Sequence, residues 1–548
     1  MAQQVMIGGQ LIARALKNEG VRAVFTLCGG HVMPIYLGCH GEGLDIIDNR
    51  HEQGAVHAAD AYARLTRGVG VAVITAGPGV TDGVTGVANA YQASVPMLVL
   101  GGAAELRFIG KGALQEMEQT SLLRPITKWS ATITQAERIP EMIAAACRIA
   151  TTGVPGPVFL EVPFDVLTRQ VADAYFPTSY KPTSRTQLDP ESIEAAARLI
   201  GAAERPIVFA GSQIWWDDAA GVLRTLADRH GIPVYLNAMG RGALPPTHPT
   251  AFSLSRKIAF RKTDCVLVVG TPLDFRVGYG AAINLPAKII QIDRDPSKIG
   301  QNRPVAIGMV GDARSNLEAL DQALPRGTGT RFAGWVEELR ADEAKRRAEQ
   351  EKWEKDDSRP INHYRFGRAI ADAIDDDTIL IGDGGDIVAI AAKVIPLFAP
   401  GRWLDPGPLG CLGVGAPFAL AAKYLHPKKK VLVISGDGSF GLNGFDFESC
   451  IRQKLPVVCI VGNDAGWGQI RGPQVMLMGP DLAPATRLAP TRYDRVVEAF
   501  GGRGEQVEDP RAIAPALRRA FESDETYCIN VPIDPDFMIK TGASKLSV

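Results

Sequence analysis

Short apolar runs ending on glycine or aspartate recur along this chain, and longer segments with helical spacing lie between them. They include VGVAVITAG (69–77), VPMLVLGG (95–102), PIVFAG (206–211), CVLVVG (265–270) and KIIQID (288–293), then TILIGDGG, KVLVISGDG and VVCIVGND between 378 and 464. Runs of this length bounded by turn residues predict strands, and their alternation with helices predicts βαβ units in parallel sheets. A chain of 548 residues is too long for one core, and domains of about 150 residues give three or four. The alternation breaks twice. FPTSYKPTSRTQLDP (176–190) reads as a linker, and WVEELRADEAKRRAEQEKWEKDD (335–357) as a solvated bridging helix. The expected fold is α/β, with three doubly wound parallel-sheet domains at 1–175, 190–325 and 358–536 and a tail at 537–548.

Charge narrows the function. A net charge of -1 supplies no basic field for nucleic acid or anionic membrane, so a small-molecule substrate is expected. The eight cysteines are scattered without a C-x-x-C pair, which predicts reduced thiols and a cytoplasmic protein. Leu11, Ile12 and Leu16 follow helical spacing, so the N-terminus reads as a first helix rather than a signal, and no run of 18 apolar residues predicts a membrane helix.

The strongest chemical signal is VLVISGDGSFGLNGFDFESCIRQKLPVVCIVGNDAGWGQI (431–470). Gly436-Asp437-Gly438 turns out of one strand, and a second strand ends at Asn463-Asp464. Two oxygen ligands then meet at adjacent strand ends, a geometry suited to a metal and a diphosphate. A lone G-D-G is ordinary turn chemistry; the paired spacing distinguishes this one.

These residues resemble the thiamine-diphosphate enzyme family, and the resemblance extends over nearly the whole chain. It implies Mg²⁺ held by Asp437, Asp464 and the Gly466 carbonyl, with Ser439 and Trp467 among the cofactor-binding residues. Most relatives carry Asn where this chain has Asp464, so one extra negative charge is expected there. The resemblance also maps the glutamate that meets the cofactor's aminopyrimidine onto Glu52 of DNRHEQGAVHAADAYAR (48–64). A buried carboxylate suits that role because desolvation raises its pKa toward the working range. Pro78 and Asn89 in ITAGPGVTDGVTGVANAYQASVP (74–96) would support the pyrimidine. Leu412 in RWLDPGPLGCLGVGAPFALAAK (402–423) would prop the cofactor's bend, with the Gly410 carbonyl facing its 4′-amino group, and Gly384, Gly385 and Asp386 would lie by the diphosphate. Because the family splits its site between subunits, a homodimer is implied, commonly paired into a homotetramer.

Within the family, GGHVMP, GALQEMEQ, TPLDFRVGYG, RWLDPGPLG and GNDAGWGQI look closest to the 2-hydroxyacyl-CoA lyases, with His31 and Gln115 over the reacting carbon. The implied reaction cleaves a 2-hydroxyacyl-CoA into formyl-CoA and an aldehyde or ketone, or joins them in reverse. A benzaldehyde lyase-like or acetolactate synthase-like carboligase acting without CoA stays open, as does an inactive cofactor-binding scaffold, against which Glu52 argues. Gly211, Arg276, Asp293 and Asp312 suggest an ADP-type site in the central domain, with FAD the alternative by analogy with acetolactate synthases. The tail, with Lys540 and Lys545, is expected to act as a lid that meets CoA phosphates.

Overall fold

The computed structural model describes residues 5–179, 189–325 and 330–540. Three six-stranded sheets, all parallel, follow one another along the chain. The first runs, edge to edge, Asp45–Asp48, Ala23–Thr26, Gly70–Ile74, Met97–Ala103, Pro157–Pro163, Trp129–Thr132. The third runs Trp403–Leu404, Ile379–Asp383, Val431–Gly436, Val458–Asn463, Tyr527–Pro532, Arg503–Gln506. Counted along the six strands of each sheet, both orders are 2-1-3-4-6-5. The central sheet is wound differently: Ala251–Phe252, Val234–Leu236, Pro206–Ala210, Cys265–Val269, Lys288–Asp293, Ile307–Val310. That is the 3-2-1-4-5-6 order of dinucleotide-binding sheets, whose direction reverses between Pro206–Ala210 and Cys265–Val269. The expected doubly wound α/β architecture is the observed one.

The central strands of each sheet are buried on both faces, which is why they read as unbroken apolar runs rather than as alternation. The alanine-rich helices Glu52–Thr66 and Gly415–Leu425 pack together and fuse the cores of the first and third domains. Small residues on both helices let their backbones approach closely. At this junction the fully buried Arg64 pairs with Asp60 at 2.6 Å and donates to the Asp405 carbonyl at 2.7 Å. The central domain is keyed into the same junction by Trp215. Its indole N–H donates to the Arg64 carbonyl at 2.8 Å, Arg67 stacks 4.0 Å above its ring, and a side chain at Gly401 would enter the ring.

The linker residues 180–188 and the tail residues 541–548, with Lys545, lie outside the described residues. The start of the tail is anchored: Phe537 is buried and stacks on His363 with ring centres 5.5 Å apart. All eight cysteines are free thiols. Among the described residues no helix is long and apolar enough to cross a membrane.

Candidate active site

The third sheet builds a carboxylate pair. Gly436 and Gly462 are partners on neighbouring strands, so Asp437 and Asp464, one and two residues further on, emerge side by side at the carboxyl edge. The two carboxyl groups lie within hydrogen-bonding reach of each other, and the Gly466 N–H donates to Asp437 Oδ2 at 3.0 Å. Burial raises both groups, and the Asp437 charge helps push Asp464 up to about 8. Two adjacent buried carboxylates repel unless a cation or proton joins them, so the pair fits a hard divalent ion. No cluster of three or more His, Cys, Asp or Glu residues forms among the described residues. A metal at this pair therefore needs backbone and ligand oxygens to complete its shell.

Around the pair opens a cavity of about 860 Å³ lined by Gly384, Gly385, Gly436, Gly438 and Ser439 together with Leu409, Gly410, Leu412 and Trp467. Gly438 lets the Trp467 ring close over the turn: a Cβ there would sit 2.6 Å from the indole. Asp386 enters the cavity with a buried Oδ2 that lacks a protein partner, and burial pushes it up to about 6. Asp383, which the sequence reading passed over inside GDGGDIV, supports its wall. Its carboxylate accepts the Gly413 and Gly415 N–H groups at 2.9 and 2.8 Å, fixing the loop that carries Gly410 and Leu412. This glycine-rich cradle, ending at two carboxylates, fits a diphosphate and its metal.

The first sheet gathers the other set. Glu52 opens helix Glu52–Thr66 behind His51, whose ring accepts the Gln53 N–H at 3.1 Å. Glu52 is buried, and desolvation raises its pKa. It faces the strand end at 75–79: a Cβ on Gly79 would lie 3.1 Å from Glu52 Oε1 and 2.8 Å from Thr75 Cγ2. Gly77, at φ +60, lies against Gln115, and Gly102 against His31. Gln119 ties these segments together, accepting the Gly77 N–H at 2.8 Å and donating to the Gly102 carbonyl at 2.9 Å. Nothing local in QEMEQ marks Gln119 for this task, because its partners lie 17 and 42 residues away. Pro78 begins helix Pro78–Gln92 at this edge. Asn89 donates to Asp60 at 3.0 Å and so belongs to the domain junction. None of Glu52, His31, Gln115, Pro78 or Asn89 lines the 860 Å³ cavity of the same chain.

In the central domain Arg276 and Asp293 line a narrow cavity of about 120 Å³ at the strand ends, beside Gly270. Gly211 is at the same edge, packed on Thr271. Asp293 accepts from Gln213 at 2.6 Å, and Arg276 pairs with Asp274 at 2.6 Å. Asp312 caps helix Ala313–Ala323 through the Ser315 N–H at 2.8 Å and is not among the residues lining this cavity.

Residues 6–122 match the thiamine pyrophosphate enzyme N-terminal TPP binding domain, 193–320 the central domain and 383–531 the C-terminal TPP binding domain. The chain belongs to the thiamine pyrophosphate enzyme family. Within that family it is 38% identical over 539 residues to a probable acetolactate synthase of Mycobacterium bovis, covering 97% of this chain and 96% of that one. It is 36% identical over 573 residues to 2-hydroxyacyl-CoA lyase 2 of Caenorhabditis elegans, covering 96% and 89%, and 36% over 537 residues to 2-hydroxyacyl-CoA lyase 2 of Homo sapiens, covering 91% and 84%. Membership makes this a thiamine diphosphate-dependent enzyme, and the first and third sheets are its two cofactor-binding halves.

Proposed function

We propose that the protein is a carbon–carbon lyase that cleaves 2-hydroxyacyl-CoA to formyl-CoA and an aldehyde or ketone, and runs the condensation in reverse. The observation that carries this reading is the placing of His31 and Gln115 at the same sheet edge as Glu52, around Gly77 and Gly102. A lyase must hold a 2-hydroxyl group and take its proton as the carbon–carbon bond breaks, and an imidazole with an adjacent amide does both. When bound, thiamine diphosphate supplies a nucleophilic carbon and an electron sink. Glu52, its pKa raised by burial, keeps a proton at the aminopyrimidine nitrogen. Asp437, Asp464 and the Gly466 carbonyl hold Mg²⁺, while Gly384, Gly385, Gly436, Gly438 and Ser439 receive the diphosphate. Asp386 would lie by that diphosphate beside Trp467, Leu412 would prop the cofactor, and the Gly410 carbonyl would face its amino group.

The Glu52 cluster lies outside the cavity of its own chain, which supports a homodimer in which each copy completes the other's site, with a homotetramer as the pairing of two dimers. Eight free thiols support a cytoplasmic location. A second reading, an acetolactate synthase-like carboligase acting on 2-ketoacids, is supported by the 38% identity to the mycobacterial relative. Assay of the loaded enzyme on a 2-hydroxyacyl-CoA, benzoin and pyruvate separates these readings. Formyl-CoA release is expected, whereas turnover of pyruvate or benzoin alone would replace the lyase reading with the carboligase one.

A further inference from the structure

Strand Pro157–Pro163 of the first sheet is an apolar run interrupted by one charged side chain, Glu161. A half-buried carboxylate in such a strand costs desolvation free energy unless polar groups answer it. Neutral groups do so here. Thr132, its partner on the neighbouring strand, donates its hydroxyl to Oε2 at 2.6 Å, and the Gln119 side-chain amide donates to Oε1 at 2.7 Å.

The three partners of Gln119 agree on one orientation of its amide. An ionised carboxylate only accepts, so the NH₂ end faces Glu161. The second hydrogen of that NH₂ goes to the Gly102 carbonyl at 2.9 Å, which leaves the amide oxygen to accept the Gly77 N–H at 2.8 Å. Turned over, the amide would set its oxygen against two other oxygens and its hydrogens against an N–H. Gln119 is 1% exposed, so no bulk water could repair that arrangement. The bond to Glu161 is charge-assisted and the shortest of the three, and it ties the amide to the sheet.

The two glycines held in this way are the ones against which the candidate substrate-handling residues rest. Gly77 and Gln115 both have positive φ, +60° and +62°, and a Cβ on Gly77 would lie 2.8 Å from Gln115 Cβ. A glutamine in the left-handed region persists there only where its surroundings enforce it. On the exposed side Glu116 does so, accepting the N–H groups of Gly110, Gly112 and Ala113. On the buried side the Gly77 backbone does so, and Gly77 is held by Gln119. A Cβ on Gly102 would lie 2.6 Å from His31 Cβ, so His31 follows any shift of that strand end.

We infer that Thr132, Glu161 and Gln119 form a buried relay of fixed polarity that positions Gln115 and His31 for turnover. Gln119 and Glu161 are positioning residues, acting through the backbone of Gly77 and Gly102. The inference rests on the reading of His31 and Gln115 given above, and not on which carbonyl compound is cleaved.

The test uses the holoenzyme, loaded with thiamine diphosphate and Mg²⁺, on whichever of a 2-hydroxyacyl-CoA, benzoin and pyruvate it turns over. Gln119→Glu keeps the shape but sets a second carboxyl group against Glu161. In alkaline buffer, where the two acids do not share a proton, its kcat is expected to fall by about tenfold or more, with KM and cofactor affinity within about twofold of the parent. Glu161→Gln alone should cost only about threefold, because its amide can still turn an oxygen to Gln119. Added to Gln119→Glu, it reverses donor and acceptor and should restore kcat to within about fivefold of the parent. Gln119→Leu removes all three bonds, and hydrogen exchange at the Gly77 amide should quicken by about tenfold or more, a readout apart from turnover. In a background of His31→Ala with Gln115→Ala, Gln119→Leu should cost less than about twofold further, since nothing is left to position. A loss in Gln119→Glu that Glu161→Gln does not relieve, or a full further loss in that background, would overturn the inference and leave the reading of His31 and Gln115 standing. Parental turnover in His31→Ala and in Gln115→Ala would overturn both.

Discussion

The first and third sheets share one strand order, and each delivers its chemistry at a carboxyl edge through a strand-to-helix turn, yet the carboxylates they present are poised by different forces. Glu52 stands apart from other acids except the more distant Asp82, and desolvation holds its pKa up. Asp437 and Asp464 are buried as well, but Asp464 is raised also by its neighbour's charge. A cation would relieve the second pair and leave the first group unchanged. Strand order alone thus fixes where a functional group appears, not what it does. The central sheet shows the same from the other side: its order is the one most associated with dinucleotides, yet its own switch point holds only a narrow cleft.

The comparison predicts unequal damage. The largest loss is expected from Glu52→Gln, which keeps shape and hydrogen bonding but removes the proton-holding carboxylate. Turnover should fall by about 10²–10⁴-fold while thiamine diphosphate still binds. Steady-state kinetics beside a cofactor titration check this, and near-normal turnover would remove the contrast between the two edges. Asp437→Ala should abolish Mg²⁺-dependent cofactor retention, whereas Asp464→Asn should bind within about threefold of the parent because an amide oxygen is still a hard ligand. Gly438→Ala, which forces the Trp467 ring away from the turn, should weaken cofactor binding by about tenfold while leaving Glu52 untouched.

Asp446 sharpens the comparison from the boundary between the two regions. It belongs to the third domain but accepts the Arg50 N–H at 2.6 Å just before Glu52, and burial pushes it up to about 7. A carboxyl group raised in the folded state favours folding below its ordinary value of 3.8, and that contribution is lost as pH rises through about 7. Asp446→Asn should therefore melt like the parent near pH 4 and about 2–4 °C higher at pH 8. Thermal scans at the two pH values decide it. The smallest effect is expected at the tail. With Phe537 locked on His363, removing only 541–548 should leave cofactor binding intact and change the KM for acyl-CoA by no more than about threefold.

Much of this was legible in the sequence because it is local. Each buried parallel strand is an apolar run, and the GDG turn and the N-D strand end lie on strands that pair directly. Glu52 was legible only through resemblance, since a glutamate at a helix start is common. What the sequence hid is what depends on distant partners. Gln119 acts through Gly77 and Gly102, Asp383 through a loop thirty residues on, and Asn89 through Asp60. The anchoring of Phe537 was hidden for the same reason, because its ring rests on His363, far away in sequence.

Trp215 has a consequence for anyone recombining relatives of this enzyme. Its indole touches the first domain at Arg64 and Arg67 and the third at Gly401, so the middle third of the chain is no interchangeable cassette. A chimera that imports a central domain lacking this ring would inherit a loosened hinge between both catalytic halves. One that imports the ring without Gly401 would inherit a clash. The transplantable unit is the indole together with the three positions that receive it.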